Sequence, residues 1–133
     1  MPPDLLTREL AGFGQPTLRD QIVHVLSTEV GWVRGLQFLP FQSRNPATLT
    51  TIDALREMQK DLMAETVAYL ESLSDDQLNT ELDRCEAGWV GPPRPPGFIV
   101  LHVITHAFHH KGQIVAMMRL LGCPAPDTDM QRA

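Results

Sequence analysis

Positive charge is in short supply in this sequence. Lys and Arg number 11 against 16 Asp and Glu, the net charge is −5, and no basic cluster stands out. A protein whose main partner is nucleic acid needs the opposite balance, so that class is set aside. Long hydrophobic runs are missing as well. None reaches about 18 residues without a His, Lys or Arg, so no membrane-spanning helix is read. The first residues, MPPDLLTREL, lack a basic stretch followed by an apolar one, so no secretory leader is read and a cytoplasmic location is expected. Cysteine is scarce. Cys85 and Cys123 lie far apart in sequence, without metal-ligand spacing, and read as reduced thiols. Aromatic residues make up only 6%. A chain of 133 residues is enough for a single domain, 1–133, with a modest core.

What is there is helical periodicity. Residues 1–16 read as an entry arm, with a turn or two of helix over Asp4 to Leu10 broken by Gly12, Gly14 and Pro16. Thr17 is a good N-cap for a helix from Leu18 to about Phe38, with Asp20 three residues on. Its apolar stripe is Leu18, Ile22, Val25, Leu26, Val33 and Leu36. Gly31 and Gly35 stand one turn apart, a spacing that either permits close packing or only weakens the helix. A second helix is expected over residues 50–73, with Ile52, Leu55, Met58, Leu62, Thr66, Tyr69 and Leu73 inward, and Ser74 caps a short one over 75–82. From Arg84 to Gly97 the chain is rich in glycine and proline and includes Trp89. It reads as a connector or lid.

The last helix, FIVLHVITHAFHHKGQIVAMMRLLG from Phe98 to Gly122, carries four of the five histidines. At about 100° per residue, His102, His106, His109, His110, Gln113 and Met117 fall within an arc of roughly 100°. His102 with His106, and His106 with His110, stand one turn apart, the spacing that lets two imidazoles on one face hold one ion. The plain alternative is that each histidine packs singly, but every buried ring nitrogen would then need its own partner. His24, at the edge of the Leu18 stripe, reads by itself as a boundary residue. Glu29 is either a solvated charge or a carboxylate that orients an imidazole.

His106-Ala-Phe-His-His110-Lys111-Gly112-Gln113, followed by Leu120-Leu121-Gly122 and Thr128-Asp129-Met130, resembles the C-terminal motif of the DinB/YfiT-like metalloenzyme family. His24, Glu29 and Trp32 match its upstream motif, and the likeness runs from about Leu5 to Met130. The resemblance implies an all-α fold, a four-helix bundle in up-down-down-up order. It implies a divalent metal held by His24, His106 and His110, with His109 a spectator and His102 one turn away. It also implies a homodimer. One departure is visible: the long first helix usual in the family has no counterpart in residues 1–16, so three long helices would leave one side of the bundle open. A partner chain, the arm with the 75–82 helix, or a natural start upstream of Met1 would each close it.

Three neutral imidazoles suit Zn²⁺ or Ni²⁺. Such an ion activates either water, which means hydrolysis, or a low-molecular-weight thiol, which means thiol transfer. No HExxH is present, so the metalloprotease pattern is absent, and Glu29 is the nearest carboxylate candidate for a catalytic base. The alternative is a non-catalytic metal-binding or stress-response dimeric interaction protein.

Overall fold

The local rules place the helices. In the computed structural model, which describes residues 2–42, 45–82 and 94–127, the order is α1 (Pro3–Leu6), α2 (Leu18–Leu36), a 3₁₀ turn (Pro46–Thr48), α3 (Ile52–Glu71), α4 (Asp75–Asn79) and α5 (Pro96–Leu120). The Thr17 hydroxyl accepts the Asp20 amide at 3.0 Å and starts α2. The Asp20 carboxylate does not complete a capping box; it pairs with Arg19 at 3.1 Å. Thr51 caps α3 in the same way, and Ser74 with Gln77 forms the full reciprocal box on α4. The helix α5 begins earlier than Phe98 because Pro96 can occupy the first helical turn, where its missing N–H is no loss.

Two helices end in the same hydrogen-bonded turn. At the end of α5, Gly122 (φ 71°) lets its own N–H reach Arg119 O and the Cys123 N–H reach Met118 O. At the end of α2 the left-handed position falls on Phe38 (φ 57°), a residue with a Cβ, and α2 therefore stops at Leu36, short of Phe38. Gly31 serves close approach: a Cβ there would lie 2.9 Å from the ring of Phe41, which folds back over α2.

The central element is α2. It packs on α1, α3 and α5, while no Cα of α3 comes within 8 Å of one in α5. This explains a difference from the expected stripe. Val23 and Val30, off the predicted stripe, are buried, whereas Ile22, Val25 and Leu26 are only half-buried. A helix with neighbours on several sides buries more than one stripe. The core joins Leu18, Val23 and Val30 to Leu55, Met58 and Leu62 of α3 and to Met117 of α5. The entry arm contributes more than expected: Leu6 is 1% exposed, and Leu10 and Phe13 pack on the same cluster.

The fold is all-α, and among the described residues one side of the bundle is open. A groove runs between α3 and α5 over α2, floored by Glu29, Val33 and Leu36 and walled by Met63, Thr66 and Leu70 on one side and by Ile99, Val103 and Ala107 on the other. No described helix is long and apolar enough to cross a membrane. The Trp89 connector, Cys85 and the Thr128-Asp129-Met130 motif lie outside the described residues.

Candidate metal centre

The helices α2 and α5 run antiparallel, so that His24 meets His106 and His110 while Trp32 meets His102. The ring centroids of His24 and His106 are 5.1 Å apart, those of His24 and His110 4.7 Å, and those of His106 and His110 4.4 Å. One ring nitrogen from each of the three can be chosen so that all lie within 4.8 Å of one another. Nitrogens bound tetrahedrally at the usual 2.0–2.1 Å sit about 3.3 Å apart, so holding an ion would draw the three in by at most about 1.5 Å. No other group of three or more such residues occurs among the described residues.

The environment favours the neutral, ligand-competent form. Burial, and then the neighbouring rings of His110, His24, His102 and His109, push the His106 pKa from 6.5 down to about 4. Burial, with His24 and His109 beside it, also lowers that of His110, which is 9% exposed. A group of rings that resists protonation is chemically fitted to a cation.

The remaining residues named from the sequence separate into two sets. His102 is exposed and lies edge-on to Trp32 at 5.2 Å, with its ring 6.2 Å from that of His106. His109 is exposed, and its Nε2 is 2.8 Å from Gln113 Nε2. Lys111 turns away, with Nζ 4.2 Å above the Phe108 ring. Glu29 is not brought to the histidines. It lies in the apolar groove, where its carboxylate accepts the Thr66 hydroxyl at 2.8 Å. Five helical residues after His24 is a rotation of about 140°, which places it on the α3 side of α2.

One residue of the site was not anticipated. Gln21 is fully buried (0% exposed), one turn before His24, and its Oε1 is 2.7 Å from His110 Nδ1. Its Nε2 donates to Gln113 Oε1 at 2.7 Å and to the Gln15 carbonyl at 3.1 Å. The available signal was a glutamine three residues before His24, on the same face of α2.

The DinB family model matches residues 1–133, the whole chain. The chain belongs to the DinB family. Among curated relatives, the uncharacterized protein YjoA of Bacillus subtilis (strain 168) is 31% identical over 83 residues, which is 62% of this chain and 51% of that protein. The chain thus spans about half the length of this relative. Among solved structures, a DinB-like protein from Bacillus cereus ATCC 10987 superposes with a TM-score of 0.77 at 21% identity, covering 96% of this chain and 82% of that one. That likeness establishes the fold of this DinB-family chain.

Proposed function

We propose that this protein binds one divalent metal ion through His24, His106 and His110 and acts as a metal-dependent enzyme. Zn²⁺ and Ni²⁺ fit a donor set of three neutral imidazoles best. The observation that carries the reading is the convergence of three ring nitrogens within 4.8 Å, contributed by two helices far apart in sequence. Membership of the DinB family supports it. An ion held there supplies Lewis acidity, which lowers the pKa of water or of a thiol. The reaction class is therefore hydrolysis or transfer to a low-molecular-weight thiol. The chain's own part is to keep the rings neutral, to hold His110 through Gln21, and to leave His24 and His106 partly open to an incoming small molecule beside Trp32 and His102.

The test is elemental analysis of protein made without a histidine tag, alongside four variants. The parent should carry about one equivalent of a transition metal. Structural zinc sites are worth about 10–16 kcal/mol, or roughly 3 kcal/mol per ligand. His24→Ala, His106→Ala and His110→Ala should therefore each weaken metal binding about 100-fold, and His109→Ala should keep its metal. Equal loss in all four would overturn the ligand assignment. Parallel screens for hydrolysis and for thiol transfer on the loaded protein separate the two reaction classes.

A further inference from the structure

The two glutamines beside the triad have directions that can be worked out from a single backbone atom. The Gln15 carbonyl can only accept a hydrogen bond, so the Gln21 group facing it at 3.1 Å is the NH₂. Turning the Gln21 amide over would set its oxygen against that carbonyl on a fully buried side chain, at the cost of a buried donor and a buried acceptor. With Nε2 so placed, Gln21 Oε1 faces His110 Nδ1 at 2.7 Å and can only accept, so Nδ1 carries the ring proton and Nε2 keeps its lone pair. The same Nε2 gives its second proton to Gln113 Oε1 at 2.7 Å. The Gln113 NH₂ is thereby aimed at His109 Nε2, 2.8 Å away, which must accept, so the His109 proton sits on Nδ1.

We propose that Gln21 and Gln113 form a polarised amide relay, anchored on the Gln15 carbonyl, that sets the ring tautomers of His110 and His109 and makes Gln21 the positioning residue of the metal centre. Imidazole side chains in water prefer the proton on Nε2. Without the relay His110 would spend most of its time with the proton on the nitrogen needed for the ion. The entry arm thereby acquires a role. Leu6, buried at 1%, fixes its start in the core, and Leu10 N–H to Pro16 O at 2.8 Å closes it, which holds Gln15 at the start of α2. His109 is the outer acceptor of the relay, not a ligand.

The effect on metal affinity rests on the proposed metal centre; the tautomers do not, and they are read on metal-free protein. Side-chain ¹⁵N multiple-bond correlation spectra near pH 7.5 should show Nδ1–H on both His110 and His109 in the parent. Gln21→Met keeps the volume but removes the acceptor. His110 should then shift largely to Nε2–H, and Zn²⁺ affinity should fall by about 10–100-fold. Gln21→Glu restores the acceptor but not the donor. Its second oxygen also faces the Gln15 carbonyl, at a cost in stability, so this variant is read on the tautomers alone: His110 should stay Nδ1–H, while Gln113 turns over to donate to the new carboxylate and His109 inverts to Nε2–H. If Gln21→Met fails to fold, Gln113→Met tests the outer half: His110 should stay Nδ1–H and His109 should shift largely to Nε2–H, and a His109 that keeps Nδ1–H would overturn the relay. Nε2–H on His110 in the parent, or an unchanged tautomer in Gln21→Met, would overturn the relay. The stated tautomers in a parent that takes up no Zn²⁺ would uphold the relay and count against the metal reading alone.

Discussion

Acidification of the metal-free protein tests the chemistry of the triad without any assumption about the reaction. Burial and neighbouring rings hold the folded-state pKa of His106 at about 4, against 6.5 for an ordinary histidine. Between those values the unfolded chain binds a proton that the folded chain refuses, so stability is fully present above pH 6.5 and is lost as pH falls towards 4. At 1.36 kcal/mol per pH unit the upper bound by pH 4.5 is about 2.6 kcal/mol. His106 is partly open to solvent, which screens the effect, and about half that figure, roughly 1.3 kcal/mol, is a fair expectation. For a chain of this length that corresponds to about 3–6 °C in Tm. The assay is thermal unfolding in chelator, at pH 7.5 and at pH 4.5, on the parent and on His106→Gln, whose side chain does not titrate. The parent should lose about 3–6 °C more than the variant. His110 also titrates below its usual range, and because its ring and that of His106 repel each other when charged, the difference between parent and variant reads the pair, with the burial part of the His110 shift common to both. Equal losses in parent and variant, or a parent that gains stability on acidification, would refute the account of the buried rings.

Other expectations follow from single features. Phe38→Gly removes a side chain from a left-handed position and should raise stability by about 0.5–1 kcal/mol, read as a higher denaturant midpoint. If the homodimer implied by the resemblance uses the open groove, charging its rim should dissociate it. Met63 and Ile104 line the groove from its two sides and are 47% and 48% exposed, and Met63→Glu with Ile104→Glu should give a monomer by sedimentation. An unchanged mass would exclude the groove as the dimer contact. Thr66→Val should leave metal content intact and lower stability by about 1 kcal/mol, because it strips the Glu29 carboxylate of its hydroxyl donor in the groove. Loss of metal in that variant would instead reinstate Glu29 as a residue of the metal centre.

Local rules were enough for much of this protein. The caps at Thr17 and Ser74 and the left-handed Gly122 act through residues no more than a few positions away, so the sequence by itself determined where α2, α4 and α5 begin or end to within about two residues. The one-turn spacing of His106 and His110 is equally local, because a helix places i and i+4 side by side whatever surrounds it. Family resemblance, not periodicity, singled out His24. Only tertiary structure decided how α2 registers against α5. That register is set by the packing of Leu18, Val23 and Met117 in one core, and it brings His24 onto the α5 pair and Gln21 under His110. The same register sends Glu29 to α3, where a sequence neighbour of the histidine motif becomes a groove residue. Hydrogen-bond direction belongs to the same class: which end of the Gln21 amide meets His110 depends on a carbonyl in the entry arm, and no spacing rule connects that atom to a histidine 95 residues on.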